Sequence, residues 1–354
     1  MLDKLRKKID IIDDEMLKLL NARAKEVIEV SKLKVKNNLS SYSAEREINI
    51  LKRLKTLNKG PLSSWDIENI FKEILSACRA LRNTLRVAYL GPQGTFTQLA
   101  AIKNFGKNTE YISAESISDV FSRVEKDQAQ YGVVPIENST EGVINYTLDM
   151  FFDSNLKICS EITLNISHSL LVLAKINLSG IKRVYSKAEV FPQCRMWLSR
   201  NLPGAELIPV SSTAKAALAV KKDRQSACIG NKILAELYEL NIIASTIEDS
   251  SSNLTRFLII AKNDSGLSGN DKTSILCSAK DKVGALHDVL YSFKKYKINL
   301  TKIESRPSKK KPWEYYFFID FHGHRNSPHV QKVLSALAKK CIFVKILGSY
   351  PKEA

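Results

Sequence analysis

Residues 133–151 read VVPIENSTEGVINYTLDMF, and the rest of the chain is organised around them. Tyr131, Val133, Val134 and Ile136 are strand formers, and Pro135 is expected to end the ladder because it has no N–H to give. Glu137, Asn138, Ser139, Thr140, Glu141 and Gly142 are small or polar. A helix is expected to start near Gly142 and to bury Val143, Ile144, Leu148 and Phe151. A polar turn between a buried strand and a helix lies at the carboxyl edge of a sheet, where open α/β sheets bind ligands. The helix start adds N–H groups suited to an anion. On these residues alone, an ordinary capped loop fits equally well.

Two further stretches extend the pattern. Gly91–Thr97 reads GPQGTFT after a strand expected over Val87–Leu90, and Asn253–Phe257 reads NLTRF before the apolar run Leu258–Ala261. All three place small hydroxyl and amide groups at strand ends. Together, in this order, they resemble the signature of prephenate dehydratases. The resemblance implies two α/β lobes around a cleft, like periplasmic binding proteins, with the last strand returning to the first lobe. It assigns Thr255 as the acid that protonates the departing ring hydroxyl, Asn138 and Gln193 as catalytic orienting groups, and Thr95 and Ser139 as substrate contacts. Around Gln193 the chain departs from relatives: Lys187-Ala188-Glu189 stands where HPQ is common. Cys194 reads as a buried small apolar group, since no paired histidine is evident.

The chain has 354 residues, room for two or three domains. No apolar run reaches the ~18 residues of a membrane helix. The N-terminal residues mix both charge signs and lack a signal-peptide core. Six cysteines (78, 159, 194, 228, 277 and 341) form no CxxC pair, so they read as reduced thiols of a cytoplasmic protein. The formal charge is +17. From Lys272 onward, 17 Lys and Arg face 6 Asp and Glu, a net +11. That excess accompanies no zinc-finger, helix-turn-helix or RNP pattern, so small dianionic ligands are preferred to nucleic acid.

Upstream, Leu2, Leu5, Ile9, Ile12, Met16 and Leu19 recur at spacings of three and four, predicting one helix to about residue 36. Continuing the count puts Arg23 and Lys34 on the apolar stripe, where a charge needs a partner. Ala44–Leu57, with Ser43 as N-cap, and Ser64–Leu85 read as two more helices. Three helices with so small a core suggest an intertwined dimer. LRKKID, the Arg23 and Lys34 positions and AEREINIL resemble the all-helical chorismate mutase domain. That resemblance implies Lys34 and Glu47 as catalytic residues and Arg23, Arg46 and Arg82 as substrate contacts. It has Arg6 reaching into the site of a partner subunit. Arginines suit a dicarboxylate, and a cation at the ether oxygen stabilises the C–O bond as it breaks. Ser43 stands where many relatives are acidic, and Cys78 and Arg82 replace a serine and a glutamine or glutamate.

Residues 86–263 alternate strands and helices, an α/β pattern. Strands are expected at Arg86–Leu90, Tyr131–Pro135, Lys157–Thr163, Ser169–Leu173, Ile181–Tyr185, Ala227–Ile229, Ile242–Thr246 and Arg256–Ala261. Helices are expected at Phe96–Phe105, Ser116–Asp127, Val190–Arg200, Ala214–Lys221 and Lys232–Tyr238. Residues 263–272, NDSGLSGNDK, read as a linker. Beyond them the order βαββαβ is ferredoxin-like. Gly284-Ala285-Leu286 and Glu304-Ser305-Arg306-Pro307 resemble the phenylalanine-binding motifs of ACT domains, which implies L-phenylalanine as an allosteric inhibitor bound at a dimer interface.

The expected organisation is a chorismate mutase domain at 1–85, a prephenate dehydratase domain at 86–263 and an ACT domain at 272–354. The chain is identified as a member of the bifunctional mutase/dehydratases, converting chorismate to prephenate and then to phenylpyruvate. It is expected to use no cofactor or metal, to form a homodimer or dimer of dimers, and to bind neither nucleic acid nor membrane. Rival readings are an arogenate dehydratase, a mutase domain kept for dimerisation, and a non-enzymatic solute-binding protein.

Overall fold

With no glycine or proline before Gly60, the N-terminal helix runs unbroken as α1 (Leu2–Lys36), followed by α2 (Ala44–Leu57) and α3 (Ser64–Ala80). The computed structural model describes residues 1–37, 42–81, 84–174, 176–250, 252–280, 282–307 and 315–353. A capping box opens α3: the Ser63 hydroxyl accepts from the Asp66 amide, and the Asp66 carboxylate accepts from the Ser63 amide at 3.0 Å. The helix ends at Ala80 rather than Leu85, because Leu85 is buried with Val87 and Tyr89 in the α/β core. Ser43 occupies the N-cap of α2, but its hydroxyl bonds Glu45 at 2.5 Å instead of capping. On α1, among the described residues, only Arg23, Ala24, Val27, Ile28, Ser31 and Lys34 are half-buried. Leu2, Leu5, Ile9, Ile12, Met16 and Leu19 are each more than 50% exposed.

The first α/β lobe comprises β1 (Arg86–Leu90), α4 (Phe96–Phe105), β2 (Glu110–Ala114), α5 (Ile117–Glu125), β3 (Tyr131–Asn138), β4 (Gly142–Val143), α6 (Asn145–Asp153) and β5 (Lys157–Asn165). The second comprises β6 (Ser169–Val172), β7 (Arg183–Ser186), α7 (Val190–Gln193), α8 (Arg195–Asn201), β8 (Glu206–Pro209), α9 (Thr213–Val220), β9 (Ser226–Gly230), α10 (Ile233–Tyr238) and β10 (Asn241–Ser245). Then β11 (Leu254–Ala261) returns to the first lobe and inserts between β3 and β5. The sheet orders are β2-β1-β3-β11-β5, with β4 on β3, and β10-β6-β9-β7-β8.

Several local expectations change. Pro135 does not end β3. It lies opposite Phe257, where the register shifts and Ile136 is the extra residue, so a bulge absorbs the missing donor. Its carbonyl accepts from Thr147 Oγ1 at 2.6 Å. The next helix begins at Asn145, because Gly142, at φ +87°, and Val143 pair back onto β3. Val143 and Ile144 are therefore half-buried, while Leu148 and Phe151 are buried. Strands β2 and β8, edge strands of their sheets, were not anticipated, and the helix expected over 190–200 is interrupted at Cys194.

The C-terminal unit comprises β12 (Asp271–Ala279), α11 (Ala285–Lys295), β13 (Leu300–Pro307), β14 (Tyr315–His322), α12 (Pro328–Lys340) and β15 (Cys341–Pro351). Its antiparallel sheet has the order β13-β14-β12-β15. The segment before it, expected to be a linker, is pinned at both ends. Ser265 Oγ donates to the Cys159 carbonyl at 2.5 Å, Asp264 pairs with Arg325 at 3.0 Å, and the Asp271 carboxylate accepts from the amides of Ser268 and Gly269 at 3.1 and 3.0 Å. Strand β15 crosses β5 so closely that a Cβ on Gly348 would sit 2.1 Å from the Ile158 carbonyl oxygen. Among the described residues, no helix is long and apolar enough to cross a membrane.

A buried ion network joins the C-terminal sheet to the first lobe. Arg256 donates from Nε to Glu161 at 2.7 Å, from Nη1 to Glu137 at 2.9 Å, and from Nη2 to Asp320 at 2.7 Å and Tyr350 Oη at 3.0 Å. Lys272 also pairs with Glu161 at 2.8 Å, and Lys302 with Glu137. Despite their burial, Glu137 and Asp320 are held below the usual carboxylate range by these cations. Replacing Arg256 with methionine takes a donor from three carboxylates, of which Glu161 keeps Lys272 and Glu137 keeps Lys302. We expect Arg256→Met to lose about 3–5 kcal/mol of stability, read as a lowered urea midpoint; an unchanged midpoint would show that the network contributes nothing net.

Candidate functional site

Between the lobes lies a cleft of about 290 Å³. Its walls come from the turns after β1 and β3, the start of β11 and the first turns of α7 and α9. The antiparallel register of β3 and β11 sets Asn138 opposite Thr255. Asn138 Nδ2 donates to Thr255 Oγ1 at 2.8 Å and to Asn253 Oδ1 at 2.7 Å, while Oδ1 accepts from the amides of Thr140 and Glu141 at 2.8 and 2.9 Å. Both amide hydrogens are thus committed. The helix start expected near Gly142 to offer amides to an anion is not there, since the helix begins at Asn145. Thr255 accepts from Asn138, so its own O–H remains available as a donor. It is 8% exposed and lines the cleft.

Gln193, at the end of α7, donates from Nε2 to Glu141 Oε1 at 2.8 Å. The carboxylate requires the amide nitrogen on that side, which fixes the carboxamide orientation. Gln193 Oε1 then accepts from Asn253 Nδ2 at 3.1 Å and lies 2.9 Å from His168 Nε2, so the imidazole donates through Nε2. Burial lowers the His168 pKa, its ring meets Phe96 edge-on at 5.7 Å, and its buried Nδ1 has no hydrogen-bond partner among the described residues. Phe257, Pro135, Ile144 and Ile166 supply apolar wall, and Lys187 and Glu189 pair at 3.7 Å. Thr95 is the N-cap of α4: its hydroxyl donates to the Leu90 carbonyl at 3.0 Å and accepts from the Gln98 amide at 3.4 Å. Ser139 is exposed and outside the cleft wall, holding the loop before β11 through the Ser252 carbonyl and the Leu254 amide, each at 2.9 Å. Cys194 is buried, its thiol pushed up to about 12 by that burial.

The helical unit gathers a second polar cluster. Arg23 Nη1 donates to Cys78 Sγ at 3.1 Å. Glu47 pairs with Arg79, a residue the sequence did not single out. Burial pushes the Glu47 carboxyl up, opposed by Arg79, Lys34 and Arg23; burial lowers the Lys34 pKa, opposed by Glu45 and Glu47. Arg46 is exposed, and Arg6 pairs with Asp3 at 3.8 Å on the exposed half of α1. Neither joins the cluster within one chain, and Arg82 lies outside the described residues.

In the C-terminal unit, Gly284 takes φ +76° at the N-cap of α11, a left-handed turn that suits glycine. Ala285 is half-buried, and Leu286 is exposed. Along edge strand β13, Ser305 and Pro307 are exposed and Glu304 is half-buried. Arg306 forms a bidentate pair with Asp149 of α6 at 3.0 and 3.1 Å. His168, Asn253, Glu141 and Arg79 were missed as site residues. Asn253 opens the NLTRF stretch and Glu141 lies in the polar turn after Asn138, so proximity to Thr255 and Asn138 was a usable signal; His168 and Arg79 are placed by tertiary packing.

Sequence models of three families match in series: Chorismate mutase type II over residues 5–83, Prephenate dehydratase over 87–265 and ACT domain over 273–339. The bifunctional chorismate mutase/prephenate dehydratase of Aquifex aeolicus is 47% identical over 355 residues, covering 99% of this chain and 98% of its own. Its counterpart in Pseudomonas aeruginosa is 43% identical over 356 residues, with 99% and 98% covered. A solved prephenate dehydratase of Arthrobacter aurescens, in complex with L-Phe, superposes with TM-score 0.71 at 32% identity, covering 76% of this chain and 90% of that one. On full-length identity and on all three matched segments, this chain belongs to the bifunctional chorismate mutase/prephenate dehydratases.

Proposed function

We propose that this chain converts prephenate to phenylpyruvate in the interlobe cleft, with Thr255 as the proton donor. The observation that carries the reading is the Asn138–Thr255 hydrogen bond, which occupies a lone pair of the threonine and leaves its O–H free for the cleft. Donation to the ring hydroxyl lets that group leave as water. The electron pair of the bond to the ring carboxylate moves into the ring, which becomes aromatic as carbon dioxide departs. The proton that Thr255 gives up is replaced from solvent. Asn138 and Gln193 act as orienting groups, linked through Asn253. A threonine is a weak acid, so orientation and the aromatic product supply much of the acceleration.

Chorismate is rearranged at the cluster of Arg23, Lys34 and Glu47. Arginine and lysine hold the carboxylates and the ether oxygen, and Glu47 accepts from the substrate hydroxyl. A second subunit completes this site. Among the described residues of one chain, nothing covers the apolar seam of α1 from Leu2 to Leu19, and Arg6 lies on that exposed half. L-phenylalanine, which the Arthrobacter relative holds in its solved structure, binds between Gly284–Leu286 and Glu304–Pro307. Arg306 and Lys302 connect that strand to α6 and to Glu137, one residue from Asn138.

Purified protein given chorismate should yield phenylpyruvate, and millimolar L-phenylalanine should suppress it. Prephenate accumulating without phenylpyruvate would shift the second reaction to another substrate, with arogenate the next to supply. Thr255→Ala should lose roughly 10²–10⁴-fold in prephenate turnover while chorismate consumption continues; retained turnover would remove Thr255 as the acid. Ile9→Asp with Met16→Asp should give monomers by sedimentation and abolish mutase activity. Mutase-active monomers would refute the shared site.

A further inference from the structure

Arg79 joins two parts of the molecule. Its guanidinium pairs with Glu47, donates from Nη2 to the Phe105 carbonyl at 2.5 Å, and lies over the Tyr42 ring at 5.5 Å. The Arg79 and Glu47 side chains are only 11% and 17% exposed. Phe105 is the last residue of α4, and a helix leaves its final carbonyls without amide partners and favours a cation there. The opposite end of α4 starts at Thr95, in the wall of the dehydratase cleft. The corner has no slack: a Cβ on Gly106 would fall 2.5 Å from the Ser76 side chain of α3, and the Asn108 amide donates to Ser76 Oγ at 3.2 Å.

We propose that Arg79 is a positioning residue for the mutase reaction, acting through Glu47, and that the dehydratase lobe fixes it by engaging it at the end of α4. The inference rests on the reading that places Glu47 in the mutase site. A carboxylate that accepts from a substrate hydroxyl must be ionised and held still. Arg79 takes Oε1 of Glu47 and leaves Oε2 for a ligand. The groups facing Glu47 are Arg79 from α3, Lys34 and Arg23 from α1, and Tyr42 ahead of α2; Glu45 faces Lys34. From α4 come only the Phe105 carbonyl, on Arg79, and the Asn104 amide, on Tyr42 at 3.1 Å. Among the cations, Arg79 most strongly opposes the upward push of burial on the Glu47 carboxyl. Without it, Glu47 holds its proton to higher pH.

The test uses the full chain carrying Arg79→Gln, Arg79→Lys or Glu47→Gln, assayed separately on chorismate and on prephenate. Arg79→Gln should lower kcat/KM for chorismate by about tenfold or more at the acid end of the pH range, with the deficit shrinking as the pH rises and Glu47 ionises. Prephenate turnover should stay within about twofold, showing that the fold is intact. Arg79→Lys keeps the charge but not the fork, so it should restore the pH profile and only part of the rate. A pH-independent loss, or no loss, in Arg79→Gln would overturn the proposal. If Glu47→Gln alone impairs the mutase, the inference fails while the reading of the site survives. If Glu47→Gln is also fully active on chorismate, the reading itself fails. Gly106→Ala, which forces α3 off α4, should reproduce the Arg79→Gln profile; an unaltered mutase would remove the role of the lobe.

Discussion

A single guanidinium, that of Arg256, holds the dehydratase cleft and the C-terminal sheet in one frame. Side chains alternate along a strand, so neighbours on β11 point to opposite faces. Thr255 turns to the cleft, and Arg256 turns to the seam with β12 and β14. The seam contains Arg256, Lys272 and Lys302 against Glu137, Glu161 and Asp320, three charges of each sign. Such a balance is what permits ions to be buried at all. It also means that a displacement of the C-terminal sheet breaks hydrogen bonds one residue away from both Thr255 and Asn138.

Much of the basic character is structural. Lys345 donates to the carbonyls of Phe151, Phe152 and Ser154 at 2.9, 2.9 and 2.7 Å, closing the end of α6. Lys340 donates to the Asp288 carbonyl of α11 at 2.8 Å, and Lys157 to the Ile346 carbonyl at 2.7 Å. These cations satisfy carbonyls that α6, α11 and β15 present at their contacts. Part of the C-terminal excess of Lys and Arg therefore serves packing rather than a surface field.

The sequence carried the three-part order and most elements, because α1, α12 and the apolar strands have strong periodicity. Strand-end motifs pointed to Thr255 and Asn138, and the family resemblance to Gln193; the fold brings the three to one cleft. The sequence did not carry details decided across the chain. Pro135 stays in its strand because β3 bulges at Ile136 beside it, and the turn after β3 delays the helix to Asn145. The segment around Asp264 and Ser265 reads as linker by composition, yet side chains distant in sequence hold it. Arg79 and His168 each look like one polar residue on an otherwise apolar face, and only packing reveals what they touch. Arg6 and Arg46 stay apart from the Arg23–Glu47 cluster in one chain; it was the resemblance, not a local pattern, that assigned Arg6 to a partner's site.

The placement of β11 has a consequence for how the chain acquires its structure. Thr255 and Asn138 are separated by 117 positions, yet they belong to adjacent strands. The strands of the second lobe lie wholly between them in sequence. During synthesis, that lobe has all its strands before the first lobe can insert its central one. Until β11 emerges, the facing edges of β3 and β5 are unpaired and exposed to association with other chains. The long loop closed by β11 slows this step relative to the local pairing of α2 with α3. The strand that completes the sheet thus arrives late, and it brings Thr255 into the cleft with it.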